Sequence, residues 1–289
     1  MTSVGFIGLG QMGGAMATHL VESPGGLIVS DVRAEAMAPL VEAGATAAAD
    51  LGELAAASDV ISIMVLDDAQ VRDVVSRLLP AAKPGTVIAI HSTIRAQTAI
   101  DLAAAAAESG VDVVDAPVSG GFMGAHAGNL ATMVGGSDEA VAKVRPSFET
   151  WADLIVHLGP VGAGTRAKLA RNLLHFISFT AATEAQRLAE ASGISLRKLA
   201  RVVRHTDAIT GGAGSIMLRD TTAPLQPGDD WYDVLLHVRT LGEKDLSLAL
   251  EQAAELGVDL PLGRVALAEF ADGLGVPHRG DPTAEGTTA

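Results

Sequence analysis

The chain has 289 residues, of which 20 are Lys or Arg and 34 are Asp or Glu, so its formal net charge is −14. It contains no cysteine, which excludes disulfides, thiolate nucleophiles and cysteine-ligated zinc. A chain of this length buries roughly three quarters of its unfolded surface and forms one large domain or two ordinary ones. The acidic balance argues against nucleic acid as a partner, because phosphate binding needs a basic surface.

The mean hydropathy of +0.33 comes from alanine and from short β-branched runs. No uncharged apolar stretch reaches the ~20 residues that span a bilayer, so no membrane partner is predicted. The first basic residue is Arg33, whereas a secretory signal peptide carries basic residues before its apolar core. The sequence therefore predicts a cytoplasmic protein.

Up to residue 161, short apolar runs alternate with longer amphipathic ones. This rhythm predicts a doubly wound parallel sheet with helices on both faces. Two later runs, Leu130–Val134 and Leu154–Leu158, flank a helix near Asp138–Trp151 and are predicted to extend the sheet, in an orientation that the sequence leaves open. The five principal strands are predicted at Val4–Gly8, Leu27–Asp31, Val60–Val65, Thr86–His91 and Val111–Asp115, and the helices between them at Gln11–Glu22, Ala34–Ala43, Ala69–Leu79 and Ala96–Ser109.

After a glycine-rich segment at residues 159–164, only helical patterns follow. We therefore predict two domains, residues 1–161 and residues 162–289. Residues 162–192 are expected to form a long interdomain helix, and residues 276–289 a mobile tail. The remaining helices are predicted at Ser195–His205, Leu241–Leu256 and Pro261–Leu274, with a loop at Thr221–Asp230.

A G-x-G-x-x-G motif lies between the first apolar run and the first helix, and Asp31 follows 23 residues after its first glycine. This spacing predicts a Rossmann-type dinucleotide site, in which the glycines permit a tight turn and close approach of the pyrophosphate. Asp31 can accept hydrogen bonds from a ribose diol and repel a 2′-phosphate, which favours NAD. Arg33 could pair with that phosphate, so NADP stays open. The predicted cofactor-binding residues of this region are Gly8, Gly10, Gln11, Met12, Gly13, Asp31 and Arg33.

Four motifs in order resemble the β-hydroxyacid dehydrogenase family, which includes 3-hydroxyisobutyrate dehydrogenase and the semialdehyde and glyoxylate reductases. They are GFIGLGQMGGAM at residues 5–16, DAPVSGG at residues 115–121, GAGTRAKLARN at residues 162–172 and LGEKDL at residues 241–246. The resemblance extends to about residue 270 and implies a first domain of the 6-phosphogluconate dehydrogenase type. It also implies an all-α C-terminal domain and a homodimer or homotetramer formed through that domain.

The resemblance assigns the substrate carboxylate to Ser119, Gly120 and Gly121. It makes Lys168 the general acid/base and Asn172 an orienting residue, and their spacing of four places both on one helix face. A lysine titrates near ~10.4, so its surroundings must tune it for work at neutral pH. The nicotinamide would exchange the hydride.

Further contacts follow from the same resemblance. Thr93 and Lys244 would lie near the nicotinamide and substrate, and Val65 and Leu66 would line the adenosine side. No H-E-x-x-H motif or carboxylate cluster at metal-ligand spacing occurs, so no metal is predicted.

The chain departs from the family pattern at three positions. Arg171 stands where the family usually has asparagine, Asp67 where it has proline, and His237 where it has phenylalanine. The histidine predicts a substrate more polar or larger than 3-hydroxyisobutyrate.

The predicted activity is hydride transfer between NAD(H) and a small anionic substrate, a 3-hydroxy acid or its semialdehyde. The alternatives are an imine reductase, an NADP-dependent semialdehyde or glyoxylate reductase, and a cofactor-binding module without catalysis. Imine reductases usually carry Asp or Tyr where this chain has Lys168.

Overall fold

The computed structural model describes residues 2–279. Contacts within the chain divide it into two compact units, the first ending at Asn172 and the second beginning at Leu173. The division falls inside the long helix. Within the described residues, no helix has an apolar stretch long enough to cross a membrane.

The first unit alternates strands and helices, as the apolar pattern predicts. In chain order its elements are β1 (Val4–Ile7), α1 (Gln11–Thr18), β2 (Leu27–Ser30), α2 (Ala34–Glu42), β3 (Thr46–Ala47), α3 (Leu51–Ala57), β4 (Val60–Ile63), α4 (Asp68–Leu78), β5 (Val87–Ile90), α5 (Ala96–Ala107), β6 (Asp112–Asp115), β7 (Val118–Ser119), α6 (Gly121–Ala127), β8 (Leu130–Val134), α7 (Asp138–Phe148) and β9 (Ala152–His157).

Six strands form one sheet in the order β3-β2-β1-β4-β5-β6, and every pair in it is parallel. All residues of β1, β4 and β5 are buried, because helices cover both faces of the sheet. The strand order reverses between β1 and β4, and ligands of such sheets bind in the crevice beyond the carboxyl ends of the strands at that point. The predicted Rossmann-type sheet is confirmed.

The two later strands do not extend this sheet, contrary to the prediction. β8 pairs with β9 in parallel and with the short β7 in antiparallel fashion, which makes a separate sheet of three strands. The reason lies after β6: Ala116 and Pro117 belong to no strand, and beyond them the chain continues as β7, which pairs with β8. One isolated antiparallel bridge, between Asp115 and Gly135, joins the ends of β6 and β8.

The second unit is helical, and no strand occurs in its described residues. The long helix α8 (Ala163–Ala191) enters it from the first unit, and α9 (Leu196–Thr210), a short 3₁₀ helix at Gly212–Ile216, α10 (Tyr232–Glu255) and α11 (Pro261–Leu274) follow. The predicted all-α C-terminal region is therefore confirmed.

Helix α10 begins nine residues earlier than the sequence predicts. Tyr232 and Leu235 are buried at its start and pack in one cluster with Leu274 and Val276. This burial stabilises the first turns of α10, whose N-cap residue, Trp231, makes no side-chain capping hydrogen bond. Val276 belongs to the predicted mobile tail but is packed, and residues 280–289 of that tail lie outside the described residues.

Candidate active site

The three glycines of the loop after β1 each meet a different steric requirement. Gly8 has a φ of +89°, and a Cβ there would collide with the Met64 carbonyl. A Cβ on Gly13 would collide with the Gly8 carbonyl, so this glycine lets α1 pack against the loop. Gly10 has no protein atom within 4 Å of the position of a Cβ. Its glycine therefore leaves space for a bound group at the uncapped start of α1, whose first N–H groups have no partner within the helix.

Asp31 follows β2 and ties the glycine loop to that strand. Its side chain is 7% exposed, and its Oδ2 accepts a hydrogen bond of 2.6 Å from the Leu9 backbone N–H. Its Oδ1 accepts one of 2.9 Å from the Arg33 N–H and lies 3.4 Å from the Arg33 Nε. The Arg33 guanidinium is thus paired with the carboxylate that the sequence singles out.

A cavity of about 1140 Å³ opens at the carboxyl ends of β1, β2 and β4. Its wall includes two strongly exposed apolar side chains, Val32 and Leu66, which offer an apolar surface to a planar ring. Nine of the predicted cofactor-binding residues line it: Gly8, Gly10, Gln11, Met12, Gly13, Asp31, Arg33, Val65 and Leu66.

Ser92, which the sequence did not single out, holds one wall of this cavity in place. It is buried after β5, and its Oγ donates to the Val65 carbonyl at 2.7 Å and accepts from the Val65 N–H at 2.9 Å. Its neighbour Thr93 is exposed at the same edge of the sheet.

The adjacent His91 is a core residue. Its ring is fully buried among Phe6, Phe148 and Trp151, and its Nδ1 donates to the Ala116 carbonyl at 2.8 Å. Burial lowers the pKa of His91 to about 4, so the ring stays neutral at physiological pH. It is therefore a packing group and no candidate acid or base.

Lys168 lies in the second turn of α8 and is only 8% exposed. Its Nζ donates to the Val118 carbonyl at 2.6 Å and to the Ser119 Oγ at 3.2 Å. Both acceptors are uncharged. Burial therefore lowers the pKa of the Lys168 amine, and the charge of Arg171 lowers it further.

Two neighbours on α8 complete this cluster. Asn172 is half-buried one turn beyond Lys168, and its Oδ1 lies 3.4 Å from the Arg171 Nη1. Arg171, which stands where the resemblance leads us to expect asparagine, thus contacts Asn172 and lowers the pKa of Lys168.

Gly120 and Gly121 follow Ser119 with φ values of +135° and +64°, a region that favours glycine. A Cβ on Gly120 would approach Leu130, whereas the space at Gly121 is open. The loop can therefore present backbone groups and the Ser119 hydroxyl to a ligand without a side chain in the way.

Asp115, at the end of β6, is a second residue that the sequence did not single out for a role. It is fully buried, its Oδ1 accepts from the Gly162 N–H at 2.7 Å, and its Oδ2 accepts from the Thr165 N–H at 2.6 Å. Burial raises the pKa of Asp115, and these hydrogen bonds oppose that effect. No local pattern could have revealed a contact between residues about 50 positions apart.

His237 and Lys244 belong to the second unit. Both are exposed on α10, and the Lys244 Nζ lies 3.0 Å from Asp245 Oδ1. The first unit thus brings together Lys168 and Ser119, places Asn172 one turn further along α8, and separately gathers the residues of the cavity. In residues 2–279 no group of three His, Asp or Glu side chains could hold a metal ion.

Comparison with known proteins agrees with this geometry. Residues 3–159 match the family model of the NAD binding domain of 6-phosphogluconate dehydrogenase. Residues 162–276 match the model described as NAD-binding of NADP-dependent 3-hydroxyisobutyrate dehydrogenase.

Individual relatives cover almost the whole chain. An uncharacterized oxidoreductase of Mycobacterium tuberculosis is 56% identical over 95% of this chain and 94% of its own length. The NAD-dependent L-serine dehydrogenase of Pseudomonas aeruginosa is 36% identical over 93% and 91%. A crystal structure of an oxidoreductase from Mycobacterium avium is 55% identical, with a TM-score of 0.93 over 96% of this chain and 100% of that one. The chain therefore belongs to the β-hydroxyacid dehydrogenase family and is an NAD(P)-dependent oxidoreductase that acts on CH–OH groups.

Proposed function

We propose that the protein transfers a hydride between NAD(H) and a small 3-hydroxy acid or its semialdehyde, with Lys168 as the general acid/base. The observation that carries this proposal is the buried Lys168 amine, held by two uncharged oxygens and with a lowered pKa. Burying an amine without an acidic partner costs free energy. A module that only binds cofactor would have no use for such a group, whereas proton transfer near neutral pH requires it.

In the oxidation direction the neutral Lys168 amine accepts the proton of the substrate hydroxyl as the C–O bond becomes a carbonyl. A nicotinamide cofactor held at the glycine loop would supply the hydride acceptor for the same carbon. In reduction the ammonium returns the proton to the carbonyl oxygen. Asn172 orients the lysine and substrate, and Ser119, Gly120 and Gly121 hold the substrate carboxylate. Two of the three N–H groups of a Lys168 ammonium are used within the protein, which leaves one for the reacting oxygen.

The cavity fits a dinucleotide, because it has open space above Gly10 and free N–H groups at the start of α1. We infer a preference for NAD over NADP. The Asp31 carboxylate would repel a 2′-phosphate, and the Arg33 side chain that could attract one is already paired with Asp31.

For the substrate we infer a 3-hydroxy acid with a polar substituent. His237 stands where the family carries phenylalanine, and a relative 36% identical to this chain is named as an L-serine dehydrogenase. In this proposal Thr93, His237 and Lys244 contact the substrate, and Thr93 and Lys244 also contact the nicotinamide.

We also infer that residues 162–289 form an oligomerisation domain and that a second copy of the chain covers α8. This helix exposes six large apolar side chains, an area that soluble monomers rarely leave open. A monomer mass by light scattering at micromolar concentration would contradict this inference. The exposed residues are Leu169, Leu173, Leu174, Phe176, Ile177 and Phe179.

Substitution Lys168→Ala should lower kcat by about 10²–10⁴-fold, the usual contribution of a general acid/base. Cofactor affinity should stay within about twofold, since the glycine loop is untouched. Steady-state kinetics and nicotinamide fluorescence measure the two effects. Lys143→Ala is the matched control, because the Lys143 Nζ also donates to a backbone carbonyl, that of Gly85, at 2.6 Å. Equal turnover of the two variants would contradict the role of Lys168.

The pH dependence has a defined sign. Oxidation needs the neutral amine, so log(kcat/KM) should rise with pH and level off at a pH below 10.5, the ordinary lysine value, because the pKa of Lys168 is lowered. Reduction needs the ammonium, so its rate should fall as pH rises through the same pKa. We call the pH-dependent part of each rate profile its pH limb. Arg171→Gln removes a charge that lowers the pKa of Lys168, so it should move the pH limbs of both oxidation and reduction to higher pH. Profiles of reduction that rise with pH would oppose the assignment.

Substitution Gly10→Ala should weaken NADH binding by at least about tenfold, since the new methyl group enters the space offered to the pyrophosphate. The melting temperature should change little, because the Cβ meets no protein atom. Gly13→Ala, whose Cβ collides with the Gly8 carbonyl, should lose both affinity and stability. Calorimetry and thermal melts separate the two variants, and unchanged affinity in Gly10→Ala would argue against this placement of the cofactor.

A panel of 3-hydroxyisobutyrate, L-serine and glycerate, each with NAD and NADP, tests substrate and cofactor. We expect a polar substrate with NAD to give the highest kcat/KM. His237→Phe should shift the preference toward 3-hydroxyisobutyrate by about tenfold, the scale of one pocket contact. His205→Phe on the exposed face of α9 is the control. If 3-hydroxyisobutyrate is already the best substrate of the wild type, the polar-substrate inference fails.

A further inference from the structure

The geometry assigns a positioning role to Asp115: we propose that its carboxylate sets the start of α8 and thereby holds Lys168 against Val118 and Ser119. This inference rests on the proposed function, because it concerns the lysine assigned to proton transfer there. Asp115 itself does not contact the reacting atoms, and it acts through the helix.

The carboxylate engages the helix at its first turn. Its two oxygens accept from the Gly162 and Thr165 N–H groups, at 2.7 and 2.6 Å. N–H groups in the first turn have no partner within a helix, and a negative charge at that end is favourable. Two bonds to different residues of one turn define both the axial position and the rotation of α8.

Asp115 is in turn fixed by its backbone. It ends β6 in register with Ile90 of β5. Its N–H donates to the Gly135 carbonyl at 3.1 Å, and its carbonyl accepts from the Gly135 N–H at 2.8 Å. The residue is therefore tied to both sheets, which leaves its carboxylate little freedom to follow a displaced helix.

Two glycines let the helix approach this closely. A Cβ on Gly164 would collide with the Met133 carbonyl and lie 2.6 Å from the Asp115 carbonyl oxygen. A Cβ on Gly135 would collide with the Asp115 carboxylate. The first turn of α8 thus rests directly on the ends of β6 and β8.

Lys168 is three residues beyond Thr165, less than one helical turn away. Its acceptors, the Val118 carbonyl and the Ser119 hydroxyl, lie three and four residues after Asp115 in the chain. Asp115 therefore links α8, which carries the Lys168 amine, to the segment after β6 that provides both acceptors of that amine.

Asp115→Asn is the direct test, since it keeps the shape but places an amide NH₂ against one of the two N–H groups. We expect kcat to fall by about 10–100-fold while NADH affinity stays within about twofold, the scale of a misplaced catalytic group. The pH limb assigned to Lys168 should move toward the ordinary lysine value, because an amine released from its two acceptors becomes more hydrated.

The charge of Arg171 lowers the pKa of Lys168, and β7 faces the amine with a carbonyl and a hydroxyl. A role of Asp115 in stability alone would lower the melting temperature without moving this limb.

Asp59→Asn is the matched control. The Asp59 Oδ2 also accepts a backbone N–H, from Ser3 at 2.9 Å, across 56 residues. It precedes β4, at the amino end of the sheet and so at the opposite end from Lys168. This variant should lose stability with kcat and pH limb unchanged.

If Asp115→Asn does not fold, Thr165→Pro provides the second variant. Proline removes one of the two N–H donors without breaking a hydrogen bond within the helix, and its ring carbon displaces the helix start from the Asp115 carboxylate. It should lower kcat several-fold and move the pH limb in the same direction.

The outcomes separate the two proposals. If Lys168→Ala is inactive but Asp115→Asn, or Thr165→Pro in its place, keeps wild-type kcat and pH limb, the positioning role is overturned. The positioning role is also overturned if the folded Asp115 or Thr165 variant loses only stability, as Asp59→Asn is expected to do. If Lys168→Ala itself keeps wild-type turnover, the proposed function fails whatever the Asp115 variant does.

Discussion

The carboxylate of Asp115 joins the two parts of the chain that carry the candidate chemistry. It closes hydrogen bonds to Gly162 and Thr165, 47 and 50 residues further along the chain, and it is fully buried. Burial of an ionisable group is costly unless hydrogen bonds compensate for the lost water. Those bonds come from the start of α8, so the position of the helix and the burial of the acid depend on each other.

A second constraint is the direction of the strands. All six strands of the main sheet are parallel, so their carboxyl ends meet at one edge. The glycine loop follows β1, Asp31 follows β2, and Ser92 follows β5. Ser92 then holds Val65, which follows β4, through two hydrogen bonds. The cavity is thus built from the ends of neighbouring strands, and none of its walls depends on a single local segment.

Because the chain has a net charge of −14 and NAD(H) is an anion, the cofactor site needs a local source of positive potential. The backbone N–H groups at the start of α1 provide this positive potential in the cavity, because they carry partial positive charge without adding a cation. Lys168 is one of only five lysines in the chain. It is held by a carbonyl and a hydroxyl and lies beside Arg171, an arrangement that keeps its amine easier to deprotonate than an exposed lysine.

Much of the fold could be read from local pattern. The five principal strands between Val4 and Asp115 and the helix Pro261–Leu274 follow from apolar patterns, because burial repeats along each element. The shortest elements were not predicted. Strand β3 has two residues, α3 and α6 have seven each and are rich in alanine or glycine, and β7 is a pair of residues beside a proline. Their stability comes from neighbours in space, and a single sequence carries no record of those neighbours.

The sequence by itself determined the doubly wound sheet, the glycine loop with Asp31, and the pairing of Lys168 with Asn172 on one helix face. Each of these depends on the spacing of residues along the chain. Side chains on one face repeat every two residues in a strand and every 3.6 residues in a helix. Only the tertiary structure decided that β7, β8 and β9 form their own sheet, that Ser92 holds Val65, and that Asp115 holds the start of α8. Those facts are contacts between residues 12 to 50 positions apart. Such contacts form only when folding brings distant strand ends together, so no local pattern encodes them.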